Sequence, residues 1–504
     1  MKARNKILFA IIAVVAFVGI LNVRAITTGS ETGSDGTSKI ITDTATLTVT
    51  GVNAGDKLSA YKILDAFYNS TANTISYEFT DDFQAYLTSE SNDLTVDEYF
   101  QLSSGNIESG STASDSELDE LASGYAAYVK GHSVSGSAMT VSGTTATAKL
   151  AAGSYLVLPT ETLRVYAVMV GNLDYTASGN NWVINNETIV AKVDDAGITK
   201  GVGAEGVPSG SYSIGDVVPY VIKGTVPTYP TNATNKTYII RDTITAGLDF
   251  QPVTSIKISD GATALTNSNG TFTNAGGKTV AVAQISGKNL TITFTVDNLT
   301  ANNITVEYGA KINSNAVVGG SGNGNKASLE YSNDPYGSGT HDTADDSDGE
   351  GEEEVIIYVY GLQIFKHADD STPLAGAEFE IYKDAELEEL VGTITTEDDG
   401  YAKSSGLAEG TYYVKETKAP AGYQLLTDPI TIKIGPTQIG EEALEDTDSD
   451  GYYELNVANA EVGLLPVTGG IGTIALTLLG LVIVGGAIYF FFVYRKKKQN
   501  QEAN

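Results

Sequence analysis

Few side chains in this sequence have the types and spacing of an enzyme's active site. The sequence contains no cysteine, which excludes thiol catalysis and every cysteine-ligated metal site. Its three histidines, at positions 132, 341 and 367, are scattered and predict neither a zinc site nor a catalytic triad. A glycine-rich stretch at 319–324 lacks the spacing of a phosphate-binding loop. We therefore predict that the protein is not an enzyme and uses no cofactor.

One acidic segment looks like the start of a calcium-binding loop. Asp446, Asp448 and Asp450 alternate along the chain and precede Gly451, as at the first positions of an EF-hand. The twelfth position of such a loop requires a bidentate glutamate, and Val457 stands there. This segment is predicted to be an acidic hairpin without a metal ion.

The C-terminal residues combine a short motif, an apolar stretch and a basic tail. The letters LPVTG at 465–469 precede residues 471–494, which contain no charged side chain and could cross a hydrocarbon core of about 30 Å. Arg495 and the lysines after it would stay on the cytoplasmic side. This order resembles the LPXTG cell-wall sorting signal of Gram-positive surface proteins. The alternative is an ordinary C-terminal membrane anchor.

The resemblance to a sorting signal implies a covalent reaction at one peptide bond. A sortase, which is a transpeptidase, would cut between Thr468 and Gly469 and join the Thr468 carbonyl to an amine. The motif residues are Leu465, Pro466, Val467, Thr468 and Gly469.

The other end of the chain has the pattern of an export signal. Basic residues precede the apolar run 7–21, which is short for a membrane span, and Ala25 follows at a plausible cleavage point. We expect a secretory signal peptide over residues 1–25.

The composition suits an exported protein. A formal charge of −32 argues against nucleic-acid binding and favours a soluble, self-repelling surface. An exported protein without disulfides must be stabilised in another way.

Alternating apolar and polar residues recur along most of the chain. Residues 46–50, 290–296 and 361–365 have the period of two that is typical of strands with one buried face. The best helical pattern covers residues 116–129. We predict an all-β protein of three tandem immunoglobulin-like β-sandwich domains, the first with a short helical insertion.

Composition shifts give the predicted boundaries. We expect a signal peptide over residues 1–25, an N-terminal domain over 26–195 and a middle domain over 196–340. An acidic linker over 341–354 leads to a C-terminal domain over 355–462, and residues 463–504 form a sorting signal with a transmembrane helix and basic tail.

A second motif lies in the third domain. The letters YYVKETKAPAGY at 412–423 resemble the E-box of collagen-adhesin B-type domains, which are inverse immunoglobulin-like folds, and LAGAEF at 374–379 and TEDDG at 396–400 match the same family. In that family a lysine on the first strand bonds covalently to an asparagine on the last, assisted by the E-box glutamate. The resemblance assigns these roles to Lys366, Asn459 and Glu416.

The chemistry explains why the resemblance requires these residue types. Burial in an apolar core lowers the pKa of a lysine and frees its lone pair, and it favours a neutral carboxylic acid that can polarise the amide and transfer a proton. Ammonia leaves and an isopeptide bond remains, once per molecule. The alternative is a surface lysine and a turn asparagine.

The middle domain resembles the collagen-adhesin A-type domain of pilus backbone subunits. By that resemblance Lys200 is the nucleophile, Asp242 the acid and Asn325 the acceptor. Asn323 is a competing acceptor, and Asp242 could instead pair with Arg241 or cap a turn. The first domain offers no comparable trio, although Lys62 lies in a strand-like run.

Backbone pilins also use a lysine that receives the sorting-signal threonine of another subunit, commonly within a Tyr-Pro-Lys motif. This chain lacks that motif, and Lys192, near the end of the first domain, is the candidate. Lys200 is a weaker rival because the internal bond would consume it.

Together these resemblances identify the chain as the backbone, or major, subunit of a Gram-positive sortase-assembled pilus, secreted and attached to the cell wall. The implied partners are a class C sortase, identical subunits, minor pilins, peptidoglycan through a housekeeping sortase, and a host surface or matrix receptor. The rival is a wall-anchored adhesin or minor pilin that is attached once to peptidoglycan.

Overall fold

A computed structural model describes residues 26–103, 115–178, 181–230, 232–345 and 352–462. The predicted signal peptide, the LPVTG motif and the predicted transmembrane helix lie outside these ranges. Within them, no helix is both long and apolar enough to cross a membrane.

The described chain separates into two compact units. One holds residues up to 358 except 211–213 and 318–320, and the other holds those two short segments and the residues from 359 onward. The first unit contains the first and middle domains, and the second contains the third domain.

The first domain combines strands with three helices. Its strands are Thr28–Thr32 (β1), Lys39–Ile41 (β2), Thr44–Thr50 (β3), Lys57–Lys62 (β4), Leu64–Asn69 (β5), Thr74–Phe79 (β6), Ser137–Ala138 (β7), Thr140–Ser142 (β8), Thr145–Ala151 (β9), Gly153–Glu161 (β10), Val165–Tyr166 (β11), Met169–Leu173 (β12), Tyr175–Ser178 (β13), Asn181–Ile184 (β14), Glu187–Val190 (β15) and Val193–Asp194 (β16). Its helices are Asp81–Ser89 (α1), Val96–Ser103 (α2) and Asp115–His132 (α3). The main sheets have the orders β1-β2-β5-β6, β12-β10-β4-β7 and β15-β3-β9-β8.

The middle domain is built from two sheets. Its strands are Gly197–Val202 (β17), Ser209–Ser211 (β18), Val217–Thr225 (β19), Tyr238–Ile244 (β20), Leu248–Phe250 (β21), Lys257–Asp260 (β22), Thr263–Ala264 (β23), Thr266–Ser268 (β24), Thr271–Thr273 (β25), Thr279–Ser286 (β26), Asn289–Phe294 (β27), Asn303–Ile312 (β28), Asn323–Ser332 (β29), Thr340–Asp342 (β30) and Glu353–Tyr358 (β31). The sheet orders are β17-β19-β28-β22-β23 and β18-β31-β29-β20-β27-β26-β25-β24.

The third domain is smaller. Its strands are Tyr360–Ala368 (β32), Glu378–Tyr382 (β33), Leu390–Thr395 (β34), Tyr401–Leu407 (β35), Gly410–Lys418 (β36), Ile430–Ile434 (β37) and Tyr452–Asn459 (β38). They form the sheets β35-β32-β38 and β34-β33-β36-β37. Most pairs are antiparallel, but β32 and β38 run parallel.

The predicted all-β fold is confirmed, and burial follows the predicted period of two. Strand β28 alternates buried and outward-facing side chains along its whole length, as does β3. This alternation is what a strand with one face on the core requires.

The structure differs from the sequence expectation at the acidic linker. The sequence predicts that residues 353 and 354 end the acidic linker and that residues 355–358 open the third domain. In the structure, residues 353–358 form β31, which pairs with β29 of the middle domain. The alternating apolar side chains Val355 and Ile357 are fully buried, and this burial outweighs the charge of the flanking glutamates. The middle domain therefore extends to about residue 358.

The helical part of the first domain is also larger than predicted. The 116–129 pattern corresponds to α3, but α1 and α2 were not predicted. Thr80 caps α1 by accepting a hydrogen bond from the backbone N–H of Phe83. The helices bury an aromatic cluster against the sheets, formed by Phe79, Phe83, Tyr86, Tyr99 and Tyr125.

This cluster generates a stability prediction. Phe83 is 1% exposed, and its ring centroid lies 4.8 Å from that of Tyr125. The Phe83→Ala substitution should destabilise the first domain by about 3–5 kcal/mol because it removes a fully buried ring. The fluorescence of Trp182, the sole tryptophan of the sequence, reports on this domain during denaturant unfolding. Leu163→Ala, at a site 58% exposed, is the control and should change stability by less than about 0.5 kcal/mol.

Candidate functional site

The third domain brings together the lysine, acid and asparagine assigned from its motifs. Lys366 is on β32 and Asn459 ends the neighbouring parallel strand β38, where Lys366 lies opposite Val457. Glu416 is on β36 of the other sheet. All three side chains are buried, at 0%, 2% and 2% exposure for Lys366, Asn459 and Glu416. We call these residues the third-domain trio.

Hydrogen bonds and one ion pair connect the residues of the third-domain trio. The Lys366 ammonium nitrogen donates to Asn459 Oδ1 and lies 3.5 Å from Glu416 Oε1. Asn459 Nδ2 donates to Glu416 Oε1 at 3.0 Å and to Oε2 at 3.1 Å. The carboxyl group therefore contacts both the amine and the nitrogen that would leave from the amide.

Burial changes the acid–base behaviour of this lysine. Removal from water lowers the pKa of Lys366, and the negative charge of Glu416 offsets part of that effect. A lowered pKa increases the fraction of neutral amine, which is the nucleophilic form.

The other family motifs hold the lysine strand in place. Thr396 is buried; its hydroxyl donates to Leu374 O at 2.8 Å and accepts from the backbone N–H of Ala377 at 3.0 Å. Gly400, at φ +81°, accepts from the Lys366 backbone N–H at 2.8 Å, and a Cβ there would lie 2.6 Å from the Lys366 carbonyl oxygen. Only glycine combines this conformation with this close approach.

The middle domain brings its assigned residues together across its two sheets. Lys200 belongs to β17 of one sheet, whereas Asp242 and Asn325 lie on the adjacent strands β20 and β29 of the other. Lys200, Asp242 and Asn325 are 2%, 1% and 0% exposed. These residues are the middle-domain trio.

The contacts of the middle-domain trio place the amine between acid and acceptor. Lys200 Nζ donates to Asp242 Oδ2 and, at 2.5 Å, to Asn325 Oδ1. Burial lowers the pKa of Lys200 and raises that of Asp242, although each charge partly offsets the other's desolvation. Asp242 Oδ1 is buried and accepts no hydrogen bond from the described residues, which further disfavours the charged carboxylate. Both pKa shifts favour the neutral forms of Lys200 and Asp242.

Sequence reasoning did not single out Tyr308, which joins this site. Its hydroxyl donates to Asp242 Oδ2 at 2.7 Å and accepts from Asn325 Nδ2 at 3.1 Å. In the sequence it occupies one of the alternating core positions of β28, so its pattern carries no signal beyond burial.

The alternatives left open for the middle domain have other partners in the structure. Asn323 exchanges hydrogen bonds with the backbone of Val317 and donates to Ile357 O. Arg241 pairs with Glu330, on the outward side of the sheet. Neither residue contacts the middle-domain trio through a described hydrogen bond.

Two lysines of the first domain were considered from the sequence. Lys192 lies between β15 and β16, and its side-chain nitrogen is shielded from solvent. Lys62 forms an ion pair with Asp65 at 2.5 Å and lies above the Tyr155 ring. The described contacts of Lys62 include no asparagine.

Among the residues that the structure describes, one cluster of three carboxylates could hold a metal ion. It consists of Asp446, Asp448 and Asp450, whose oxygens lie within 4.8 Å of one another. These carboxylates accept backbone hydrogen bonds from Asp450, Gly451 and Tyr452. Val457, at the twelfth position of the calcium-loop pattern, is a core residue of β38.

Three family models match the chain. Residues 214–335 match the Gram-positive pilin backbone subunit 2, Cna-B-like domain; residues 361–450 match the SpaA prealbumin-like fold domain; and residues 459–500 match the LPXTG cell wall anchor motif. The chain is 27% identical to the trypsin-resistant surface T6 protein of Streptococcus pyogenes serotype M6, over 90% of this chain and 95% of that protein.

The chain belongs to the Gram-positive backbone pilins. Its anchor motif makes it a surface protein of the cell wall. The model that matches the pilin's middle domain is described as Cna-B-like, whereas the sequence of this domain resembles the collagen-adhesin A-type domain.

A solved structure supports the fold of the pilin. The T6 backbone pilin of serotype M6 Streptococcus pyogenes, described as a modular three-domain structure, superposes with a TM-score of 0.64 at 23% identity, covering 84% of this chain and 99% of that one. The full-length major pilin SpaD of Corynebacterium diphtheriae gives a TM-score of 0.49 at 18% identity, covering 83% and 98%.

Proposed function

We propose that this pilin is polymerised by a sortase into a covalent fibre and that each of the two trios forms an internal lysine–asparagine isopeptide bond. The observation that carries the second part is the burial of Lys200 and Lys366, each against an asparagine oxygen and a carboxyl group. A buried lysine whose only role was to carry charge would incur a large desolvation penalty.

The proposed reaction is the same at both sites. The neutral lysine amine attacks the asparagine Cγ, the new C–N bond forms, and the bond to Nδ2 breaks. One proton passes from the lysine nitrogen to Nδ2 through the acid, so that ammonia leaves. In the third-domain trio, Glu416 contacts both nitrogens and can accept the proton from one and donate it to the other.

The bonds would replace the disulfides that the pilin lacks. They would close loops whose ends are 125 residues apart in the middle domain and 93 apart in the third. In the entropic model a cross-link over such a loop stabilises a domain by about 4–5 kcal/mol. In the third domain the bond would also join the first strand to the last.

We infer that polymerisation joins Thr468 of one subunit to Lys192 of the next. Lys192 lies where the first domain ends, which is the position that the pilin resemblance assigns to the linking lysine. Because its nitrogen is shielded, the reaction needs a local opening that exposes the amine to the sortase-bound threonine. The other proposed partners are a class C sortase, minor pilins, peptidoglycan through a housekeeping sortase, and a host surface or matrix receptor.

The acids provide the first test. Glu416→Ala and Asp242→Ala should each leave one bond unformed, so that the intact mass rises by about 17 Da relative to the value calculated for a fully bonded variant. Glu378→Ala and Asp249→Ala, which remove partly exposed carboxylates of the same domains, should keep both bonds. An acid variant that still loses two ammonia molecules, one for each bond, would refute the role of that acid.

The acceptor of the middle domain can be tested separately. Asn325→Ala should abolish that bond, because the Lys200 amine contacts the Asn325 carbonyl oxygen. Asn323→Ala should retain it, although the lost backbone hydrogen bonds lower stability by about 1–3 kcal/mol. Peptide mapping by mass spectrometry identifies the cross-link. A bond that persists in the Asn325 variant and disappears in the Asn323 variant would reverse the assignment.

Polymerisation is tested by immunoblotting wall extracts boiled in SDS. The native pilin should give a ladder of high-mass species, and Lys192→Ala should reduce it to the monomer. Lys149→Ala, an exposed lysine of the same domain, is the control and should keep the ladder. A ladder that survives in the Lys192 variant excludes that lysine. A native monomer band alone would favour the rival mode, in which one subunit is attached once to peptidoglycan.

A further inference from the structure

In the middle domain a fourth polar side chain, that of Tyr308, contacts the trio, whereas the described hydrogen bonds of the third-domain trio include no further side chain. The Tyr308 hydroxyl lies between Asp242 Oδ2, at 2.7 Å, and Asn325 Nδ2, at 3.1 Å. The nitrogen that contacts the phenol is the one that must leave as ammonia.

The length of the acid explains why the two sites differ. Glu416 reaches the leaving nitrogen of Asn459 with both carboxyl oxygens. Asp242 has one methylene fewer, and its Oδ2 instead contacts Lys200 and Tyr308. Among the described hydrogen bonds, Asn325 Nδ2 donates to the phenol and not to the carboxyl group.

The fold holds the Tyr308 ring in this position. Tyr220 lies directly opposite Tyr308 on the neighbouring strand β19, and the rings stack with centroids 5.4 Å apart at an interplanar angle of 21°. Tyr308 is 5% exposed. Burial raises its pKa well above the usual value, and the nearby Asp242 charge adds to the effect, so the phenol stays neutral and keeps its proton available.

We propose that Tyr308 is a catalytic residue that relays a proton from Asp242 to the departing nitrogen of Asn325. This proposal rests on the proposed Lys200–Asn325 bond. Before attack, the amide nitrogen is planar and its lone pair is delocalised, so it can only donate to the phenol. Attack by Lys200 on Cγ makes that nitrogen pyramidal and turns it into an acceptor.

The proton balance of the relay is complete. Asp242, in its neutral form, gives its proton to the phenol oxygen while the phenol gives its own proton to Nδ2. The bond from Cγ to Nδ2 breaks, its electron pair stays on nitrogen, and ammonia leaves. Asp242 then takes one proton from the Lys200 nitrogen and returns to its neutral form, and Tyr308 ends unchanged.

The first experiment follows bond formation in the full-length secreted chain by intact mass and peptide mapping over time. Tyr308→Phe keeps the ring and removes the hydroxyl. It should slow formation of the Lys200–Asn325 bond by about 10²-fold or more, as expected for the loss of a positioned proton donor. The Lys366–Asn459 bond in the same molecule is the internal control and should form completely. A Tyr308→Phe chain that forms both bonds at the native rate overturns the relay.

A second variant separates the lost hydroxyl from altered packing. In the double variant Asp242→Glu with Tyr308→Phe, the longer acid should reach Nδ2 directly, as Glu416 does in the third domain, and restore the bond. A double variant without the bond contradicts the relay, because the defect then lies in the surroundings of the ring. A native chain that lacks the middle-domain bond would instead refute the proposed bond itself, which is a separate outcome.

Discussion

The two trios depend on one physical constraint, which is that a lysine amine is kept out of water beside an amide carbonyl. Water would keep the amine protonated and unreactive, and burial without an acid would leave a charge with no compensation. Lys366 and Lys200 meet both conditions, since each is at most 2% exposed and each contacts a carboxyl group. The sheets of each domain bring the lysine, the asparagine and the acid together out of water, as this constraint requires. In the third domain two parallel neighbouring strands supply lysine and asparagine, whereas in the middle domain the two residues come from different sheets.

This difference has mechanical consequences within each domain. A bond between β32 and β38 would tie together the first and last strands of the third domain, so that tension on its ends acts on a covalent link and not on a hydrogen-bonded edge. A bond between β17 and β29 would instead clamp one sheet of the middle domain to the other. Both arrangements would suit a pilus backbone subunit whose sequence contains no cysteine.

Much of this organisation could be predicted from the sequence because its signals are local. The period of two predicted the strands, and the E-box letters located Glu416 and, through the family pattern, Lys366 and Asn459. The misses have physical reasons. The sequence did not predict strand β31 because glutamates flank its buried Val355 and Ile357. It did not predict α1 because this helix is short and its Thr80 cap is easily interpreted as a turn. The sequence did not indicate Tyr308 because its proposed role depends on contacts with Asp242, 66 residues away in sequence, and with Asn325, 17 residues away, which only the fold creates.

The covalent state of the two lysines tests the account most directly. Tandem mass spectrometry of a protease digest of the native secreted chain should find two branched peptides, one joining Lys200 to Asn325 and one joining Lys366 to Asn459, each lighter by about 17 Da than the sum of its parts. Recovery of the four residues only in separate linear peptides of unaltered mass would contradict the claim that burial drives these lysines to react.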